Sequence, residues 1–273
     1  MKNAIHMLSH DGYWQMMSFI ITTEDNKVIV IDGGYNDDAK KLLTSLQRIT
    51  QQNVPHIDAW FLTHAHEDHI DAFCELYEKS STAFTCDAVY YCFPSVQYVQ
   101  KYENSSHNTL KRFYALLPQI ASFSHTVSTA DVYCIGDTRF EILLTYDDTV
   151  TTDIVNNSST VIRMILGGKT ILFLGDAGII AGERLLARYG QGLKSDYCQM
   201  AHHGQDGVRE DVYRSIDPQF CFWCTPEWLW NNDRNGTGFD TDIFETVRTR
   251  EWMSRLHVQE HYIMLNRDIT VTL

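Results

Sequence analysis

Residues 63–69 read Thr63-His64-Ala65-His66-Glu67-Asp68-His69, so three imidazoles and two carboxylates fall within six consecutive positions. An apolar stretch over residues 57–63 ends where the cluster starts, and a helical pattern over residues 71–79 follows it. Imidazole and carboxylate are the usual ligands of zinc and related divalent ions. In an extended segment, residues two apart point the same way, so His64 and His66 can grip one ion together. Asp68 and His69 follow as the chain turns into the helix, and they point to a neighbouring position. One strand–loop–helix unit thus offers ligands to two adjacent ions. Four side chains are too few for two ions, so a fold carrying this segment has to bring further ligands to it.

Two other strand ends can supply them. Asp176 follows the apolar run of residues 171–174, and its carboxylate can bridge two ions. His202 and His203 end the run of residues 197–201. One of this pair is expected to ligate, and the other to contact the substrate or donate a proton. Functional residues of α/β proteins gather at strand ends in this way.

Strand and helix patterns alternate along the chain without a linker or a composition break. With 44% hydrophobic and 21% charged residues among 273, a sizeable core can form. One domain over residues 1–273, with mixed sheets covered by helices, fits this pattern. Helices are expected over residues 39–51, 71–79, 106–123 (broken near Pro118) and 179–189. Residues 262–273 read as a closing hairpin that turns at Asn266-Arg267-Asp268. Residues 227–240 read as a long loop over the pocket, rich in aromatic groups such as Trp228, Trp230 and Phe239.

The formal net charge is −13, from 22 basic and 35 acidic residues. Such a surface repels a polyanion at long range. No cluster of Lys and Arg of the kind that displaces counterions from a duplex stands out. A small molecule, not nucleic acid, is the expected partner. The seven cysteines show no disulfide spacing, and Cys221 and Cys224 lie in an apolar strand-like run. They read as reduced thiols of a cytoplasmic protein. Residues 1–6 lead into polar positions, not into the apolar segment of a secretion signal. No apolar run approaches the ~20 residues of a membrane span.

Thr-His-x-His-x-Asp-His after an apolar strand resembles the signature of the metallo-β-lactamase superfamily. Other segments follow in that family's order. Asp32-Gly33-Gly34 is similar to its early strand-end Asp-x-Gly, Leu174-Gly175-Asp176 to its bridging aspartate, and Ala201-His202-His203-Gly204 to its last histidine motif. Residues 156–163, beginning Asn156-Asn157-Ser158-Ser159, together with the two later motifs resemble the hydrolase domain of the competence protein ComEC. Bacterial phosphorylcholine esterases share similar signatures. The resemblance spans roughly residues 13–272. Two departures stand out. Many members carry a further His before the bridging Asp, where this chain has Asn156-Asn157, so one ion has fewer protein ligands. His125, the only nearby His after His107, sits in what reads as an ordinary strand edge. Near the first strand, Gly12-Tyr13-Trp14-Gln15 replaces smaller residues and offers aromatic walls to the pocket.

The resemblance implies an α/β (α+β) fold: a four-layer αββα sandwich of two mixed β-sheets flanked by helices. It also implies a hydrolase with two divalent ions, zinc by default and manganese or iron as alternatives. His64, His66 and Asp176 then hold the first ion, and Asp68, His69, Asp176 and His203 (or His202) the second. Asp32 orients a ligand or the cluster loop from behind. Asp68 and the spare histidine, His202, enter the chemistry, and Asn157 or Ser159 contacts an anionic group. The expected reaction is hydrolysis of a phosphodiester in a small anionic substrate by metal-activated water. A lactone, thioester or lactam hydrolase is the alternative on the same site. A metal-binding regulatory protein with a relic site is the alternative of another class.

Overall fold

Val28–Asp32 shows how the sequence builds its sheets. Its β-branched run favours extended backbone, and every residue of it is buried. A strand buried on both faces needs a layer on each side. The computed structural model, which describes residues 1–103 and 107–273, supplies a second sheet on one side and helices on the other.

Strands β1 (Ala4–Met7), β2 (Ser18–Thr22), β3 (Val28–Asp32), β4 (Ala59–Phe61), β5 (Val89–Tyr91) and β6 (Ser124–Thr126) belong to the first sheet. Strands β7 (Val132–Ile135), β8 (Thr138–Leu144), β9 (Val161–Leu166), β10 (Lys169–Phe173), β11 (Tyr197–Gln199), β12 (Phe220–Trp223) and β13 (Glu260–Ile263) form the second. Strand β14 (Ile269–Thr272) returns to the first, giving the orders β14-β1-β2-β3-β4-β5-β6 and β13-β12-β11-β10-β9-β8-β7. Each sheet is mixed. In the first, β1 to β3 pair antiparallel and β3 to β6 parallel. In the second, β7 to β10 pair antiparallel and β10 to β13 parallel.

The sheets pack face to face through aromatic side chains. Phe19 of β2 meets Phe173 and Phe222 of the other sheet at ring separations of 5.2 and 5.8 Å. Phe61 stacks on Phe140 at 4.7 Å. Helices α1 (Ala39–Thr50), α2 (Glu67–Ser80), α3 (Val96–Tyr102) and α4 (His107–Ile120) come next in the chain. Leu42, Leu46, Phe73 and Phe113 of α1, α2 and α4 close the outer side of the first sheet's core. Helices α5 (Ile154–Asn157), α6 (Ile179–Tyr189), α7 (Glu210–Ile216), α8 (Glu227–Trp230) and α9 (Thr246–Arg255) follow. Leu185, Val212, Ile216 and Met253 of α6, α7 and α9 pack against the second sheet. Two mixed sheets flanked by helices is the architecture the sequence implied. Among the described residues, no helix is long and apolar enough to cross a membrane.

Several elements differ from the sequence expectation. The closing hairpin does not form: β13 pairs with β12 in one sheet and β14 with β1 in the other. The turn between them is pulled across the sandwich, because Asp268 accepts hydrogen bonds from both the backbone and hydroxyl of Ser9 at 2.9 and 3.0 Å. Pro118 does not break its helix. Helix α4 runs on past it to Ile120, with one ladder hydrogen bond given up close to its end. Ser106, the expected start of that helix, lies outside the described residues. Helix α3 was not expected, although Ser95 caps it by accepting from the Tyr98 N–H at 3.1 Å. Helix α2 starts at Glu67, four residues before the expected start, so Asp68 and His69 occupy its first turn.

Candidate metal centre

Strands β3, β4, β10 and β11 run side by side in the parallel portions of their sheets, or border them, and each delivers a functional segment just beyond its C-terminal end. At the end of β3, the Asp32 backbone is left-handed, with φ 56°. Its buried carboxylate accepts from the Thr63 N–H at 2.8 Å, the Thr63 hydroxyl at 2.6 Å and His69 Nδ1 at 2.7 Å. The Trp60 indole N–H donates to the Asp32 carbonyl at 2.9 Å. Gly34, at φ 93°, lies where a Cβ would come within 2.7 Å of the Asp38 carboxylate and 2.9 Å of Met16. Its N–H donates to the His69 carbonyl at 3.1 Å, and its carbonyl accepts from Ala72 at 2.9 Å. The end of β3 is thereby tied to the first turns of α2.

The opposite sheet is tied by different residues. The Gln199 side-chain oxygen accepts from the Leu174 and Gly175 N–H groups, both at 2.8 Å. Ser159 Oγ accepts from the Asp176 N–H at 3.0 Å. Both His202 and His203 hold left-handed backbone, at φ 50° and 55°, which is strained for residues bearing a Cβ. His203 Nδ1 donates to the Cys224 carbonyl at 2.9 Å, turning Nε2 toward the other sheet. His69 is turned the same way by Asp32.

These constraints converge two ligand groups. Asp68, His69, Asp176 and His203 form one, and His64, His66 and Asp176 the other, each with its ligand atoms within 4.8 Å of one another. Asp176 belongs to both. His69 Nε2 lies 3.2 Å from Asp176 Oδ1, and His203 Nε2 lies 3.1 Å from Asp68 Oδ2. His64 Nε2 and His66 Nδ1 face each other at 3.0 Å. His69 Nε2, His203 Nε2 and Asp176 Oδ1 are buried and, among the described residues, meet only in charge contacts that lack hydrogen-bond geometry. Such atoms destabilise a fold by about 1–3 kcal/mol each unless something satisfies them. A divalent cation does, and the donor set of imidazoles and carboxylates fits one.

The electrostatics have the same origin. Burial opposes charge on His203, but Asp176 and Asp68 outweigh it and lift the imidazole to about 9. His69 is likewise raised, with Asp176, Asp32 and Asp68 overcoming its burial. Asp176 is held well below the usual carboxylate range despite its burial, by His69, His203, His202 and His64. His66 moves the other way, to about 4, because burial dominates there. Without a cation, protons on His69 and His203 balance the carboxylates.

His202 lies at the edge of this centre, its side chain 21% exposed and its Nε2 3.8 Å from Asp176 Oδ2. With His66, Asp68 and Asp176 it lines a cavity of about 360 Å³. Asn157 does not reach that cavity, contrary to the sequence expectation. Its amide nitrogen donates to the Thr152 and Asp153 carbonyls, and its oxygen accepts from the Ala181 N–H near the start of α6. Ser159 is equally occupied with the Asp176 backbone. Both residues therefore build the turn that carries Asp176. His125 is stacked on Tyr90 at the edge of the first sheet. No sequence signal marks Gln199, which reads as one more strand residue. A third acidic group, His56, Asp58 and Asp87, lies elsewhere. Lys27 already sits 2.9 Å from Asp58 there.

Residues 12–81 match the family model of the metallo-beta-lactamase superfamily. Among solved structures, the metallo-beta-lactamase fold protein YhfI from Bacillus subtilis is similar, at 12% identity and a TM-score of 0.58, over 98% of this chain and 100% of that one. CmlA, a diiron beta-hydroxylase from Streptomyces venezuelae, is similar at 12% identity and a TM-score of 0.58, over 100% of this chain and 54% of that one. The chain thus spans about half the length of CmlA. None of the curated proteins matches it. The fold is that of the metallo-β-lactamases, and the segment carrying the histidine cluster matches that superfamily's model.

Two measurements follow from the geometry. Ligation requires neutral imidazoles, so zinc binding to the metal-depleted protein at neutral pH expels protons from His69 and His203. Apparent affinity should therefore rise as pH approaches about 9, where His203 loses its proton unaided. Calorimetric titrations in buffers of different protonation enthalpy will read that release, and identical heats would contradict it. Asp32→Asn replaces an acceptor-only group by an amide that also donates. It should weaken metal binding about 10- to 100-fold in chelator competition.

Proposed function

We propose that this protein is a metal-dependent hydrolase of phosphodiester bonds in a small anionic substrate. The observation that carries the hydrolase reading is the buried cluster of ligand atoms on His69, Asp176 and His203 behind a polar cavity that His66, Asp68, Asp176 and His202 line. The likeness of residues 156–163 and of the His-His-Gly motif to the ComEC hydrolase domain supports the phosphodiester.

His64, His66 and Asp176 would hold one divalent ion, and Asp68, His69, Asp176 and His203 the other, with zinc the default. Bound there, the ions supply Lewis acidity and a water acidic enough to ionise near neutral pH. The protein's own groups do the rest. Asp32 and the Cys224 carbonyl fix the tautomers of His69 and His203, so that both Nε2 atoms face inward. Asp68 lines the cavity and accepts the proton of the attacking water. His202, which lines the cavity and is unclaimed by either ligand group, donates from Nε2 to the leaving oxygen. The cavity is small and the chain strongly acidic, which favours a compact substrate over a polyanion.

Turnover of bis(4-nitrophenyl) phosphate by zinc- and manganese-loaded protein tests this reading. Asp68→Asn should lower it by at least about a hundredfold, the usual scale for a lost proton acceptor. Equal rates in the variant would contradict the assignment. No turnover with either metal would move the reaction to lactone, thioester or lactam bonds.

A further inference from the structure

A second cavity, of about 600 Å³, adjoins the metal-centre cavity and shares Gln15, Tyr35 and Glu67 with it. Its outer wall is aromatic, from Trp14, Trp228 and Phe244, and it contains one cationic side chain of full charge, Arg234. The Arg234 guanidinium sits over the rings of Trp14 and Trp228, at 5.4 and 5.7 Å from their centroids. Among the described residues no carboxylate pairs with it, so the two indole faces are its recorded side-chain partners. Arg234 is exposed, and in a chain of net charge −13 it is, among the described residues, the one guanidinium that lines the cavity adjoining the metal-centre cavity.

The backbone around Arg234 is held in place. The Tyr13 hydroxyl donates to the Arg234 carbonyl at 2.5 Å, and the Trp228 indole donates to the Tyr13 carbonyl at 2.6 Å. Tyr13 stacks on Trp228 at 5.6 Å. Buried Asn232, two residues away, donates to Asp240 and to the Asp242 carbonyl at 2.7 and 2.9 Å. Aromatic faces attract a guanidinium, and its planar fork of N–H groups matches an oxyanion through two parallel hydrogen bonds. Asp37 and Glu67 line the same cavity and repel a second negative group nearby.

We propose that Arg234 is a specificity residue that binds a single terminal oxyanion, a carboxylate or phosphate monoester, at the end of the substrate remote from the reacting bond. The proposal rests on the hydrolase reading only in placing that bond at the metal centre. The substrate class becomes a compact molecule with one anionic terminus, its planar or apolar body lying against Trp14 and Trp228.

Binding is tested apart from turnover. The protein as purified is titrated with benzoate, phenyl phosphate and neutral benzamide, with tryptophan fluorescence as the readout. At least one anion should give a saturable change. Arg234→Gln should weaken that anion by roughly ten- to a hundredfold, the scale of a lost charged hydrogen-bonding partner. It should leave benzamide unchanged, and Arg234→Lys, which keeps the charge without the fork, should fall between. Saturation by benzoate alone assigns a carboxylate, and by phenyl phosphate alone a phosphate. No saturable change with either anion, or equal affinities in wild type and Arg234→Gln, overturns the proposal. Because no step is turned over, a failure of phosphodiesterase activity leaves this result readable, and the reverse also holds.

Discussion

The buried carboxylate of Asp32 is the constraint on which the centre depends. It is fully buried, burial pushes its pKa up, and among the described residues its charge is balanced by His69 and the groups that donate to it. Those donors are the Thr63 N–H and hydroxyl and the His69 ring. An uncompensated charge at that depth would destabilise the fold by several kcal/mol, so the geometry of all three donors is strongly enforced. One donor starts the histidine loop and another, His69, belongs to a group that could hold an ion. The energetic need to satisfy Asp32 therefore sets where His64, His66 and His69 can be. The left-handed backbone at Asp32 is followed by Gly34, whose N–H and carbonyl are both hydrogen-bonded to α2.

The other half of the site answers to a separate set of contacts. Gln199 and Ser159 occupy the backbone donors of the turn carrying Asp176, and the strained His202-His203 backbone leaves one imidazole buried and the other facing the cavity. Neither sheet alone completes a ligand group, because Asp176 from the second joins His64, His66, Asp68 and His69 from the first. The aromatic packing between the sheets, around Phe19, Phe61, Phe140 and Phe173, is what holds these halves in register. A shift of the sandwich by even a fraction of an ångström would be felt in the ligand distances.

The parts of this arrangement that were legible in the sequence are local ones. The histidine cluster, Asp176 and the His202-His203 pair each follow an apolar β-rich run, so motif and periodicity reveal them together. What the sequence conceals is long-range. Ser159 meets Asp176 across 17 residues and Gln199 meets Leu174 across 25, and nothing near either residue advertises its partner. The closing hairpin was misjudged for the same reason. Alternation reveals strands but not their neighbours, and the contact that diverts β14 joins Ser9 to Asp268 across 259 positions. The motif offers Asn157 to an anionic group, whereas its amide bonds to the Thr152 and Asp153 carbonyls and to the Ala181 N–H. The pairing of Arg234 with Trp14 is equally invisible, since it joins two loops far apart in the chain.

The central claim is that the two ligand groups sharing Asp176 are a dinuclear metal site. Anomalous diffraction at the zinc edge, on crystals of zinc-saturated protein, tests it most directly. Two peaks are expected, one among Asp68, His69, Asp176 and His203 and one among His64, His66 and Asp176, with Asp176 reaching both. Zinc bound only elsewhere on the surface, with these side chains left unligated, would contradict it.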